Sequence, residues 1–238
     1  MDERYHQVYP ELYRHHWWWR AREEFLLQKI SGLLVNAPQT RILDVGCGAG
    51  LFFDTLQQFG CVEGIEPSAT AVADSAKWRG SIHIGELDGT YQSTEPYDLV
   101  IMLDVLEHVR EPELLLRQAA RQLAPGGYIL ATVPAFTWLW TSHDDVNQHF
   151  TRYSIEQLHH LFTTAGLCRR ESGYFFGSLV AAKLGVRLIE SVSKRSASPP
   201  RLPPSWLNSA AQHWFRTEHR IARWLPFGGS AWLVAQND

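Results

Sequence analysis

Between residues 40 and 134, short apolar runs alternate with segments of helical spacing, and nothing else constrains the fold as much. The runs are "RILDV" (41–45), "CVEGIE" (61–66), "SIHI" (81–84), "YDLVIML" (97–103) and "YILATV" (128–133). Near-continuous apolar strands separated by helices predict a parallel sheet covered on both faces. Two further runs, "LCRRESGYFF" (167–176) and "GSAWLVAQ" (229–236), bring the expected strand count to seven. Helices are expected over 13–35, from about Leu51, over 68–78, from about Glu111 to the "APGG" at 124–127, and over 154–165. Ligands of such sheets sit beyond the carboxyl ends of the strands, where strand order reverses. Attention therefore falls on the residues that follow each strand.

The first such turn reads "DVGCGAG". Glycines let backbone pass close beneath a ligand because no Cβ intervenes. A dinucleotide site wants G-x-G-x-x-G, with pyrophosphate at the helix N-terminus. Here the glycines are Gly46, Gly48 and Gly50, Leu51 stands where the third glycine belongs, and Asp44 would repel a pyrophosphate. The spacing speaks against a nicotinamide-dependent dehydrogenase. It suits a nucleoside ligand that carries positive charge.

"LDVGCGAG" resembles the first motif of class I S-adenosylmethionine-dependent methyltransferases. Four later segments agree in order and spacing: "VEGIEPS", "IGELD", "YDLVIMLDVLEHV" and "LAPGGYILATVP". The resemblance implies an α/β, doubly wound, mostly parallel seven-stranded sheet of Rossmann-like methyltransferase type. It implies that the cofactor is S-adenosylmethionine and the product S-adenosylhomocysteine. Carried over position by position, the donor-binding residues are Asp44, Gly46, Cys47, Gly48, Gly50, Glu66, Pro67, Glu86, Leu87 and Leu103. Glu66 would accept the ribose hydroxyls, with Glu86 near the adenine amine.

Methyl transfer from a sulfonium is an in-line displacement, so the protein mainly orients and excludes water. An oxygen acceptor also gains from a base with a pKa near neutrality, which points to histidine. The candidate catalytic residues are His108, after the fourth strand, and His143 and His149, in the stretch 138–153. Asp144 or Asp145 would orient such a histidine. "DVLEHV" is similar to the matching segment of ubiquinone-biosynthesis O-methyltransferases, which implies a candidate metal set of Asp104, Glu107 and His108 near one helical face. Many methyltransferases without metal carry a similar segment, so a divalent metal is the lesser expectation.

"HHWWWRAR" resembles the "HWWF-x-x-R" openings of a subset of bacterial methyltransferases, which implies that residues 1–38 form an N-terminal helical cap with Arg20 or Arg22 pairing with the donor carboxylate. Residues 39–176 plus 227–238 form the expected methyltransferase domain. Residues 177–226 read as a helical insertion before the last strand. That insertion is locally basic, eight Lys/Arg against two Glu between Lys183 and Arg223, in a chain of net charge −3. Its second helix suggests an apolar stripe of Leu207, Ala211, Trp214, Ile221 and Leu225. It is expected to pack on the parent domain or the acceptor, to touch an anionic membrane, or to build a homodimer. Eight of ten tryptophans fall in segments expected around the open strand ends.

The expected acceptor is small, lipid-linked or a glycan, and it is methylated on oxygen. Global charge gives no basic field for nucleic acid, and "DVLE" lacks the Asn-Pro-Pro-Tyr type of motif of amino-nitrogen methylation. A non-catalytic S-adenosylmethionine-binding module or scaffold is the alternative. Three scattered cysteines read as buried thiols in a reducing compartment. With no secretory or membrane-spanning apolar run, the expected location is cytoplasmic, peripheral to the inner membrane face if the insertion binds lipid.

Overall fold

The computed structural model describes residues 3–34, 40–73, 77–192, 201–221 and 224–237. Two helices open the chain, α1 (Glu3–His15) and α2 (Trp17–Leu33). Then come β1 (Thr40–Val45), α3 (Phe53–Leu56), β2 (Gly60–Glu66), α4 (Ala69–Ala73), β3 (Ile82–Ile84) and β4 (Tyr97–Leu103). The next elements are α5 (Pro112–Gln122), β5 (Leu123–Pro134), α6 (Ser142–Val146), α7 (Ile155–Thr164) and β6 (Cys168–Phe175). The chain continues with α8 (Ser178–Val192), α9 (Ser205–His219) and β7 (Ser230–Gln236).

The strands form one sheet of order β3-β2-β1-β4-β5-β7-β6. The first five are parallel, and β7 runs antiparallel to both neighbours. Strand side chains alternate between two cores, as a period of two requires. Leu43, Val100, Met102, Ile129, Ala131 and Leu233 face a core closed by Leu116 of α5 and Phe162 of α7. Ile42, Leu99, Ile101, Leu130, Trp232 and Val234 face the other, closed by Phe25, Leu26 and Ile30 of α2 with Phe53 and Leu56 of α3. Both faces are dry, which is why the strands read as continuous apolar runs. Strand order reverses between β1 and β4, so the crevice lies over their carboxyl ends.

Several local expectations are corrected. The helix expected over 13–35 is two helices broken at His16, whose backbone is extended (ψ 134°) and whose Nδ1 accepts Trp18 N–H at 3.1 Å. Its expected end at 35–38 lies outside the described residues. After the glycine turn the helix is a single turn, Phe53–Leu56, because residues 48–52 are spent on turns. The helix expected over 68–78 covers Ala69–Ala73, and residues 74–76 are outside the description. β5 begins at Leu123 and takes in "APGG", with a register shift against β4. Cys61 and Cys168 are exposed and Cys47 half-buried, so the expected burial of the thiols is corrected.

Helix α9 docks on α2 by its other face. Trp17 stacks on Phe215 with ring centres 4.7 Å apart, and Arg216 pairs with Glu24. The expected stripe therefore points outward, with Leu207, Trp214 and Ile221 all exposed. Amphipathic spacing identifies a face, but not whether that face is covered.

Gly60 opens β2 directly opposite Thr40, and a Cβ there would lie 1.9 Å from the Thr40 carbonyl oxygen. Gly60→Ala is expected to cost about 1–3 kcal/mol or more by overpacking. A lowered urea midpoint would check this.

Candidate functional site

A cavity of about 1260 Å³ opens over the carboxyl ends of β1, β2, β4 and β5. It exceeds the ~300–1,000 Å³ typical of single small-molecule sites, so two ligands can share it. One part is lined by Gly46, Cys47, Gly48, Glu66, Pro67, Glu86, Leu87 and Leu103, all expected donor residues. Another is lined by His108, His143, Asn147, His149, Arg152 and Lys183. Trp17, Trp18 and Trp19 of α2 complete the wall, whereas Trp138, Trp206, Trp214 and Trp224 are exposed.

The glycine turn is built for close approach. Gly46, Gly48 and Gly50 have φ of 74°, 54° and 69°, a region costly for residues with a Cβ. A Cβ on Gly46 would strike Val105 at 2.7 Å, while one on Gly48 would meet no protein atom within 4 Å. Gly48 thus presents bare backbone to the cavity. Gly50 does not line it, packing instead beside Trp78, Ile82 and Phe53. Glu66 fastens the turn to β2, accepting Gly48 N–H and Ser68 N–H at 2.9 Å each.

Asp44 lies apart from the main cavity, in a pocket of about 60 Å³ shared with Tyr9, Trp19 and Arg22. Gly46, Cys47 and Leu103 line both spaces. Burial pushes the Asp44 carboxyl up to about 8, offset in part by Arg22 and reinforced by Glu66.

At the end of β4, Asp104 adopts φ 59° and pairs with Arg22 at 2.7 Å. Thr132 closes the triangle, donating to Asp104 at 3.1 Å and accepting from Arg22 at 2.9 Å. Residues 106–108 form a 3-10 turn, so Asp104, Glu107 and His108 do not share the expected helical face. His149 takes Asp104's place in the cluster: ligand atoms of Glu107, His108 and His149 lie within 4.8 Å of one another. Glu107 is fully buried and neither carboxylate oxygen has a hydrogen-bond partner among the described residues. Burial and then Asp104 raise its carboxyl well above the usual range. A buried carboxylate with two imidazoles is a donor set that divalent metals accept.

Asp144, at the start of α6, is the hub of the second part. It takes a forked pair from Arg152 (2.8 Å each) and accepts from His149 Nδ1 at 2.8 Å. Burial alone would raise this carboxyl, but the bonds from His149 and Arg152 outweigh it and hold Asp144 well below the usual carboxylate range. An ionised Asp144 requires the proton on His149 Nδ1, which in the neutral ring leaves Nε2 as an acceptor. The His108 ring meets His149 edge-on, centres 4.7 Å apart, and burial followed by His149 lowers His108 to about 4. Burial and then Lys183 lower His143. Asp145, the other candidate orienter, accepts instead from Trp140 at 2.9 Å.

Sequence reasoning missed Arg152 and Lys183. Arg152 carried one signal, its nearness to a cluster of His and Asp; Lys183 carried none, since it arrives from a remote helix.

A family model described as a methyltransferase domain matches residues 18–169. The ubiquinone biosynthesis O-methyltransferase of Pseudomonas fluorescens is 31% identical over 134 residues, 50% of this chain and 58% of that protein. The chain thus spans little more than half the length of that relative. Among solved structures, an S-adenosylmethionine-dependent methyltransferase from Mesorhizobium loti aligns over 88% of this chain and 96% of its own (TM-score 0.58, 15% identity). The N-methyltransferase NodS from Bradyrhizobium japonicum, in complex with S-adenosyl-L-homocysteine, aligns over 91% and 86% (TM-score 0.54, 15% identity). These two likenesses carry the fold. The family match adds the lineage, and the chain belongs to the class I S-adenosylmethionine-dependent methyltransferases.

Proposed function

We propose that the chain moves the methyl group of S-adenosylmethionine to an oxygen of a small acceptor, with His149 as base. The observation that carries the reading is the pairing of a bare glycine turn tied to Glu66 with an Asp144-oriented imidazole across one cavity. Glu66 would take the ribose hydroxyls, Glu86 and Leu87 would flank the adenine, and Gly48 backbone would pass beneath the methionyl group. His149 Nε2 would withdraw the acceptor's hydroxyl proton as oxygen attacks the methyl carbon and the sulfonium leaves as a neutral thioether. The resemblance to a ubiquinone biosynthesis O-methyltransferase favours oxygen.

The orphaned oxygens of Glu107 favour a second reading. Glu107, His108 and His149 would hold a divalent ion, which when bound polarises an acceptor hydroxyl. Loss of labelled methyl transfer after EDTA treatment, restored by Mg²⁺, Mn²⁺ or Zn²⁺, supports it; insensitivity to EDTA supports His149 acting unaided.

Calorimetric titration with S-adenosylmethionine and S-adenosylhomocysteine, with labelled transfer to phenols and catechols, tests the whole proposal. No binding of either ligand would end it. His149→Ala is expected to lower turnover by about 10²–10⁴ while leaving product affinity unchanged.

The donor's ammonium would also draw Asp44 into its charged form. Free Asp44 holds its proton below about pH 8, so binding should release it. Affinity should then rise with pH toward that value, by up to ~tenfold per unit. Binding heats at pH 7 in Tris and in phosphate would count the proton; a count of zero contradicts this role.

We place the acceptor against α6 and α8, and treat α8–α9 as the acceptor-side unit. Leu188, Ile189, Trp206 and Trp224 stand exposed there, with Arg201 and Arg220 also exposed, a composition suited to an anionic lipid surface. Co-sedimentation with anionic but not neutral liposomes supports a lipid-linked acceptor; equal behaviour removes it. Among the described residues no helix is long and apolar enough to cross a membrane.

A further inference from the structure

Among the described residues that line the cavity, two cations are matched by carboxylates. Arg22 is matched by Asp104, and Arg152 by Asp144. Lys183 of α8 lines the same cavity and makes neither hydrogen bond nor ion pair with any described residue. The charges that act on it are those of Arg152, Asp144 and Asp104, and both carboxylates are already committed. A lysine seldom enters a cavity without an anion to meet it, because desolvating an unmatched ammonium is costly.

Lys183 is also held in place. At the head of α8, Ser178 N–H donates to Glu218 of α9 at 2.9 Å. One turn past Lys183, Arg187 donates to the Trp138 carbonyl. Leu179 and Lys183, four residues apart and so on one helical face, both reach the cavity wall. The helix is tied at both sides of the lysine, and its flanking residues Leu184 and Val186 turn outward.

We propose that Lys183 binds an anionic group, carboxylate or phosphate, carried by the methyl acceptor, so that the enzyme selects acidic acceptors. This rests on the methyltransferase reading and adds the substrate class. The anion would sit on the α6–α8 wall, with His143 and Asn147 beside it, and turn the rest of the acceptor toward His149. Burial, and then Arg152, depress the Lys183 ammonium to about 8, and a bound anion would restore its charge.

The test uses the full chain saturated with S-adenosylhomocysteine, and the probes benzoate, phenyl phosphate and benzamide, with dissociation constants read by ligand-observed NMR. At least one anion should bind about tenfold or more tighter than benzamide, and which one tells carboxylate from phosphate. Lys183→Met should abolish that preference, and Lys183→Arg should keep it, with product affinity unchanged in both. Equal binding of all three probes, no binding of any, or a preference that survives in Lys183→Met overturns the proposal. So does a Lys183→Met variant whose main loss is in product affinity, which would place the lysine on the donor's own carboxylate. Failure of the wild type to bind S-adenosylhomocysteine would instead count against the methyltransferase reading itself.

Discussion

Asp144→Ala is expected to lower unfolding free energy by about 3–5 kcal/mol, the usual result of stripping one partner from a buried ion pair. Its side chain and that of Arg152 are 0% and 1% exposed. Among the described residues, the variant would leave the interior guanidinium with only the Ala135 carbonyl, 3.0 Å from Nη1, as partner. His149 would lose its orientation in the same step. Asp144→Ala combined with Arg152→Met should recover much of the stability, since a buried pair can often be replaced by apolar groups at little loss. Activity should not recover with it. The pH dependence follows from the lowered Asp144 carboxyl. Because the folded value lies below the unfolded one, its contribution is complete above about pH 4 and is lost as pH falls further. Urea titrations at pH 6 and pH 3 should therefore show the gap between wild type and variant narrowing by about 1 kcal/mol at the lower pH. A constant gap would show that the carboxylate's charge is not what stabilises the hub.

Glu66→Ala should weaken S-adenosylhomocysteine by about 100-fold or more. The two charge-assisted hydrogen bonds proposed to ribose, at ~1.5–3 kcal/mol each, would account for that much. The same carboxylate also anchors Gly48 and Ser68, so the empty turn would loosen as well. Glu66→Gln keeps the shape but only one acceptor oxygen, and an intermediate loss is expected. Calorimetry on both variants, alongside their melting temperatures, separates the effects. Lower stability with unchanged product affinity would leave Glu66 as a strut for the loop and remove it from the donor site.

The sheet and its glycine turn could be read from sequence because each is a local signal. A strand buried on both faces must be apolar throughout, and a turn with φ of 74°, 54° and 69° at alternate positions favours glycine. The second part of the cavity is different. Arg22 meets Asp104 from a helix some 80 residues away, Lys183 enters from α8, and Asp144 finds Arg152 within an irregular loop. Such pairings have no period, so a sequence offers candidates without partners. His149 and Asp144 were both candidates; the structure supplies the 2.8 Å between them. The resemblance also suggested Asp104 beside Glu107 and His108, and a positive φ at Asp104 turns that residue to Arg22 instead. Backbone handedness at one residue is not written in spacing.

β7 lies between β5 and β6, although it follows both in sequence. Among the described residues β6 pairs with no other strand, so it joins the sheet only once β7 has inserted. Everything that forms the glycine turn and Glu66, by contrast, lies within the first five strands. A chain emerging from the ribosome can thus assemble its nucleoside half while α8, with Lys183, and the last two strands still await their closing partner. On the proposed roles, a nascent chain would gain donor recognition well before acceptor selection.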